Sequence, residues 1–577
     1  MQGPEQLRGV AGRGWSCWLS RGLRRQTKLW AERSLGGRST LGPSMSQAAS
    51  GVARVGAAAI LLACLAFFVV TTWRWPLVGD ASLMHYVAFL MDHGMRPYRD
   101  IAEINFPGGF LVDWAVMHSL GGGSLAWRVF DLGLVLVGVG AFGVVARDWF
   151  VGVWAGVVFG LVHGRDGIFD LGQRDFVVAV LVLVGFAGLL RAARGGWDKW
   201  LVLFGLCAGC AGAIKPTYLF LGPVVLGFLA VLGWRRRRFG AVSGGVSQAQ
   251  LLIYGGISWL VPLLAVGIWL WRMGAWIDFV RVGRTLMAYH AGLARRPVGF
   301  LLLHSVAPVL PLLILWILVV AVFERERRRD GHAGPPRPTQ ANCGLEWGTR
   351  ASWERMALMV GILVGFFSYV IQGKGYPYQR YPLLALLLVT MGMDFAAAAR
   401  RAGLARLVGW VGIAYGVLFL APSSAWAASR YDWRNLEFQD ALVEDLDRLG
   451  GERLSGEVQC IDTVGGCYGA LYRARIVSSS GFLYDEFLFG AERDGVIAES
   501  RRRFWMAFEA RPPRVVIVVD GLFPSGPPGF EKLALWPEFD SALARDYVVR
   551  DEVRPPDPVF WWARKDEPRS FRIYVRR

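Results

Sequence analysis

The chain has 577 residues, 54% of them hydrophobic, with a formal net charge of +18 and a mean hydropathy of +0.37. Many separate apolar runs of roughly 17–25 residues, the length that spans a bilayer as a helix, exclude an ordinary soluble protein. They are too long and continuous for barrel strands, which leaves a polytopic α-helical membrane protein. The positive balance then reads as the Lys/Arg bias of cytoplasmic loops, with no nucleic acid implied.

Residues 1–50 carry eight Lys/Arg against two acids, Glu5 and Glu32, with little hydrophobic periodicity. They read as a basic, disordered cytoplasmic arm. Met45 and Met1 both fit as the start. Residues 51–428 form the membrane domain. About eleven spans are expected there, centred near residues 62, 136, 157, 184, 207, 225, 261, 310, 363, 389 and 415. A shorter apolar helix, Phe110 to Leu120, contains Asp113 and His118 and reads as interfacial.

Loop charge sets the orientation. With a cytoplasmic N-terminus, the inner loops hold Arg147; Arg191, Arg194 and Lys199; Arg235 to Arg238; Arg325 and Arg327 to Arg329; and Arg400, Arg401 and Arg406. An odd span count places residues 429–577 outside. In that tail, "NLEFQDALVEDLDRLGG" alternates with the strand-like runs "VQCID", "ARIVSS", "RVVIVVD", "YVVRDEV" and "SFRIYVRR". The expectation is a small extracytoplasmic α/β domain with no nucleotide-cradling loop and no metal-ligand spacing. An extracytoplasmic setting permits a disulfide between Cys460 and Cys467, while Cys207 and Cys210 read as small packing residues in a helix.

The outer loops gather ionisable residues. In "WPLVGDASLMHY", Asp80 fits both a helix N-cap and a catalytic carboxylate fixed near the membrane surface. The helix it opens closes at Gly94. "GMRPYRDIAEINFPGG" adds Tyr98, Asp100, Glu103 and Asn105. "HGRDGIFDLGQRDF" adds Asp170, Arg174 and Asp175, the last with an N-cap alternative. Lys215 in "GAIKPTYLF" lies at the outer end of a helix pair, against the positive-inside trend, suited to snorkelling or to an anion. "QGKGYPYQRYP" supplies Lys374 and Arg380 among three tyrosines, and the preceding outer loop supplies Arg281, Arg284, His290, Arg295 and Arg296. Cations at membrane level suit a lipid-linked phosphate, and carboxylates suit a general base or a bridging divalent metal.

This ordered set, the first-loop Asp followed by "GMRPYRD", "FPGG", "GQRD" and "AIKP", resembles the GT-C glycosyltransferases, most nearly the family 39 type of protein mannosyltransferases and lipid A aminoarabinose transferases. The resemblance covers Arg54 to Leu232. It implies inverting transfer of a sugar from a polyprenyl-phosphate donor to a lipid, polysaccharide or protein acceptor on the outer face of a cell (inner) membrane. It implies Asp80 as the acceptor-side acid, acting as base or through a metal, with Glu103, Asp170 and Asp175 as further catalytic candidates. Many members carry a second acid after the first, where this chain has Ala81, so an acid-pair metal site lacks its second member. Lys215 matches a family motif for holding the donor phosphate. Arg174 and Arg380 join it by position and charge, and Tyr98, Asp100 and Asn105 form the substrate loop. The rival reading is a lipid or sugar transporter or flippase, which internal repeats and charges deep in several spans would favour.

Overall fold

The computed structural model describes residues 45–170, 172–195, 199–238, 248–331, 350–429, 434–463, 465–490, 495–554 and 570–577. The expected basic arm, up to residue 44, and the side chains of Arg235 to Arg238, Arg327 and Arg329 lie outside this set. Residues 58–577 form one compact unit. Before it, residues 45–57 begin the helix Met45–Thr72.

Among the described residues, eight helices are long and apolar enough to cross a membrane: Val52–Thr72, Ser124–Ala146, Arg174–Ala193, Leu251–Arg272, Val298–Glu326, Trp353–Gln372, Pro377–Ala399 and Gly403–Trp426. The chain is a multi-pass membrane protein. The other three expected spans are present as helices but fall short of that test. Trp149–Asp166 ends in His163, Arg165 and Asp166. Lys199–Ile214 and Pro216–Leu232 are shorter, because Pro216 divides one hydrophobic stretch in two. The Leu251–Arg272 span begins with a π-helical turn, Leu251–Gly256. Arg128 and Asp131 lie within the first two turns of Ser124–Ala146. They pair with each other, and His163 Nε2 lies 3.1 Å from Asp131, so these buried charges are compensated.

Two helices fill the long connection after the first span. Gly79–Asp92 is buried along most of its length and ends at His93, with Gly94 left-handed after it. Pro107–Leu120 extends the apolar stretch from Phe110 back to Pro107, which takes the first helical position, where its missing N–H costs nothing. Neither Asp80 nor Asp175 is a cap. Val78 and Gln173 hold those extended positions, and the two acids sit in the first helical turns.

The tail forms a four-stranded sheet ordered β1-β2-β4-β3, from Val458–Ile461, Val515–Val519, Tyr547–Val553 and Phe571–Arg576. β1 runs parallel to β2, and the other pairs are antiparallel. The fifth expected strand, "ARIVSS", is instead a connection that touches β1 at a single bridge, Val458 to Ser478. Its backbone bonds are divided: Ser479 N donates to Val458 O and Val477 O accepts from Gly456 N, both at 2.7 Å, while the Tyr86 hydroxyl accepts from Ser478 N at 2.7 Å and donates to Ile476 O at 3.1 Å. Cys460 and Cys467 are joined by a disulfide, and Cys207 and Cys210 are free.

The sheet and the first connection share one core. Tyr86, Leu90, Tyr98, Ile101 and Phe110 pack with Val458, Tyr468, Leu471, Val515, Ile517 and Phe571. Val516 and Val518 face the opposite side of the sheet, against Phe504, Trp536 and Phe539. Alternation along β2 therefore joins two apolar layers. Gly481 clasps the loop: its carbonyl accepts from Ala102 N at 2.8 Å, and a Cβ there would lie 1.9 Å from Asp100 O. Gly481→Ala is expected to cost about 1–3 kcal/mol by overpacking this clasp. A lower melting temperature in detergent, with earlier proteolysis of the tail, checks this; unchanged melting and proteolysis would contradict it.

Candidate functional site

Two glycine contacts assemble the motifs that the sequence separates. A Cβ on Gly108 of "FPGG" would lie 2.6 Å from the carbonyl of Ala213 and 2.7 Å from Ile214 N. Only glycine lets the Pro107–Leu120 helix start against "AIKP". Gly172 of "GQRD" has φ +74°, and a Cβ there would lie 2.8 Å from the Ala81 side chain and 2.7 Å from the Trp127 indole nitrogen. The position where an acid follows the first-loop Asp in the resembled family is thus filled by small-residue packing.

Around these contacts stand Asp80, Arg174, Lys215 and Lys374. The charge of Asp80 acts on all three cations and on Tyr376, Tyr378 and Tyr484. Asp80 is half-buried and accepts a single long hydrogen bond among the described residues, from Gln173 Nε2 at 3.4 Å.

The other carboxylates are committed. Asp175 is fully buried and paired with Lys215. Lys215 does not snorkel: its side chain is 9% exposed, and its ammonium lies 5.8 Å from the Tyr378 ring centre. Asp170 is buried and accepts from Tyr378 N at 3.2 Å. Burial and then the neighbouring Asp166 charge push its carboxyl well above the usual range. Glu103 is fully buried. Its Oε1 accepts from Ile104 N at 2.8 Å, Asn105 N at 2.6 Å, Asn105 Nδ2 at 2.7 Å and the Tyr484 hydroxyl at 3.0 Å, and its Oε2 has no partner. Burial raises it above the ordinary carboxylate range. Glu103 ties the loop to the tail through Tyr484.

The substrate-loop candidates hold the same loop together. Tyr98 is buried and left-handed at φ 67°, and its hydroxyl donates to Asn105 O at 2.5 Å. Asp100 accepts from Arg96 Nε at 2.8 Å in a half-exposed pair.

The cations differ in the same way. Arg174 makes no ion pair or hydrogen bond among the described residues, although Asp175, Asp80, Tyr378 and Tyr484 surround it electrostatically. Arg380 is buried and paired with Asp166 at 2.6 Å, and it also donates to His304 O at 3.0 Å. It is occupied in a way that Arg174 is not. Lys374, expected among the outer-loop cations but not among the donor-phosphate ligands, is buried, and its ammonium meets His290 Nε2 at 2.5 Å. Burial pulls it down to about 8. A lysine between two glycines in a short inter-span loop was the available signal for it.

Beside Ala213 and Pro107 opens an apolar groove of about 460 Å³, lined also by Leu260, Leu264, Trp271 and Phe279. Its lining thus joins the neighbours of Lys215 to the membrane-facing side of the Leu251–Arg272 span. Among the described residues no group of three or more His, Cys, Asp or Glu side chains is placed to hold a metal ion. Asp80, followed by Ala81, does not make up such a set.

No protein-family model matches the chain, and no curated protein matches it by sequence. Solved structures do. ArnT from Cupriavidus metallidurans bound to undecaprenyl phosphate is 13% identical, with a TM-score of 0.51 over 89% of this chain and 97% of that one. The apo state of ArnT is 13% identical, with a TM-score of 0.50 over 91% and 98%. The archaeal oligosaccharyltransferase AglB from Archaeoglobus fulgidus, in complex with an inhibitory peptide and a dolichol-phosphate, is 12% identical, with a TM-score of 0.47 over 80% and 69%. The chain shares the fold of ArnT over most of both chains, and in this chain that fold comprises membrane helices, helices in the first connection and a small C-terminal sheet.

Asp175→Asn is expected to destabilise the protein by about 3–5 kcal/mol, because it leaves the Lys215 ammonium buried without its counter-charge. Adding Lys215→Met is expected to recover part of the loss in thermal melting. Additive losses would contradict the pairing.

Proposed function

We propose that the chain is an inverting glycosyltransferase that moves a sugar from a polyprenyl-phosphate donor to an acceptor hydroxyl on the extracytoplasmic face of the cell membrane. The observation that carries this reading is the division of labour among the charges. Asp80 and Arg174 are left uncommitted in a cluster whose other ionisable groups are paired. The apolar groove beside Lys215 suits the donor's polyprenyl tail. ArnT, whose fold the chain shares, is described as bound to undecaprenyl phosphate, and that donor chemistry comes to this chain as part of the proposal. The orientation rests on loop charge, which puts the N-terminus in the cytoplasm and the sheet outside. The acceptor is a lipid, a polysaccharide or a protein.

Leaving-group charge grows on the phosphate as its bond to the sugar breaks. Arg174, Lys215 and Lys374 stabilise that charge in a partly dry site, where fixed cations act more strongly than in water. Asp80 takes the proton of the acceptor hydroxyl as it attacks the opposite face of the sugar, which inverts the anomeric centre. Asp175 supports Lys215 from behind, Asp170 holds the Tyr378 backbone, and Glu103 shapes the loop. A transporter would instead use unpaired charges deep within spans, whereas Arg128 and Asp131 pair with each other near the same face.

With purified protein in detergent and a labelled polyprenyl-phosphate sugar, wild type is expected to transfer label. Asp80→Asn is expected to lower kcat by about 10²–10⁴-fold with little change in donor KM. Near-wild-type transfer would contradict Asp80 as base. Lys374 carries its charge below about 8, so its attraction for the phosphate is present at lower pH and lost as pH rises through that value. Burial pulls Lys215 down to about 8 as well, so donor KM is expected to rise above pH 8 in wild type through both ammonium groups, and to rise less steeply in Lys374→Arg, whose guanidinium does not titrate in this range; an equally steep rise in the variant would contradict a role for Lys374.

A further inference from the structure

Three titratable side chains from three distant segments lie in line at the edge of the site, and the proposed reaction uses only the last. Glu486 belongs to the short tail helix Glu486–Phe489, His290 to the helix Leu286–Gly292, and Lys374 to the loop between two spans. Glu486 Oε1 meets His290 Nδ1 at 2.5 Å, and His290 Nε2 meets Lys374 Nζ at 2.5 Å. The Glu486 and His290 side chains are 1% and 27% exposed. An ammonium can only donate, so His290 Nε2 accepts. The ring proton then sits on Nδ1 and is donated to the Glu486 carboxylate, which fixes the tautomer. The Phe523 ring stacks on His290 with centres 5.8 Å apart and lies 5.8 Å from Lys374 Nζ.

We propose that Glu486 and His290 are positioning residues for the donor: through this relay the C-terminal region holds the Lys374 ammonium at the donor phosphate. The inference rests on the lipid-phosphate reading of the site. The need for such a relay is electrostatic. Lys374 faces Arg174 and Lys215, which repel its charge, and Asp80 and Glu486, which favour it. With Asp80 reserved for the acceptor proton, the tail supplies the compensating carboxylate. The neighbouring Asp485 is taken by Lys532 at 2.6 Å and by Thr463, so it does not substitute. Docking of the C-terminal region therefore completes the donor site through Glu486.

The test measures donor KM and kcat across pH for the full chain in detergent with a polyprenyl-phosphate sugar, comparing wild type, Glu486→Gln and His290→Ala. Both variants are expected to raise donor KM roughly tenfold at neutral pH, the worth of one charge-assisted hydrogen bond. Both are expected to move the alkaline limb of kcat/KM to lower pH, because the ammonium has lost its acceptor or the carboxylate behind it. Unchanged donor KM and an unmoved limb overturn the relay while leaving the transferase reading intact. A uniform fall in kcat with the limb in place overturns it in favour of a purely structural contact. No transfer by wild type overturns the transferase reading and the relay with it. Where Glu486→Gln fails to fold, His290→Ala, at a partly exposed position on another segment, decides between the same outcomes.

Discussion

Lys215 and Asp175 form a buried ion pair at the level where the apolar helices end, and the site is organised around that constraint. Removing a charge from water costs several kcal/mol unless a partner answers it. The arrangement meets this cost pair by pair: Lys215 with Asp175, Arg380 with Asp166, and Lys374 with Glu486 through His290. What remains after pairing is chemically informative. One guanidinium, Arg174, and one carboxylate, Asp80, keep capacity for a ligand of each sign among the described residues.

The fold supplies the closeness that this pairing needs. Gly108 lets the first connection touch the turn that carries Lys215, and Gly172 lets the second loop touch the helix that carries Asp80. The sheet then packs on the same connection through Tyr86, Tyr98 and Phe110 and fastens it with Glu103, Asn105 and Tyr484. Membrane helices, loop helices and sheet meet at one place because each presents an apolar face that the others bury.

Much of this was legible in the sequence. Hydropathy gave the span positions, and alternation gave four of the five proposed strands, since β2 and β4 are runs of β-branched and aromatic residues. "ARIVSS" misled because a short β-rich run carries no record of where its partners lie, and the Tyr86 hydroxyl takes two of the backbone groups that a longer ladder with β1 would use. The cap readings of Asp80 and Asp175 each failed by two residues, within the usual uncertainty of a helix end. Position and charge made Arg174 and Arg380 equal expectations beside Lys215, and only the fold shows that Arg380 is paired with Asp166. Glu486 was invisible: in "YDEFLFG" it looks like any acid beside an apolar run, and only tertiary contact with His290 gives it a role.

The structure of the chain with a polyprenyl phosphate bound tests the central claim most directly. The account predicts the phosphate within ion-pair reach of Arg174, Lys215 and Lys374, with Asp80 on the side away from the lipid and the tail in the groove lined by Leu260, Leu264 and Trp271. A phosphate held elsewhere, with Arg174 and Lys215 unengaged, would contradict it.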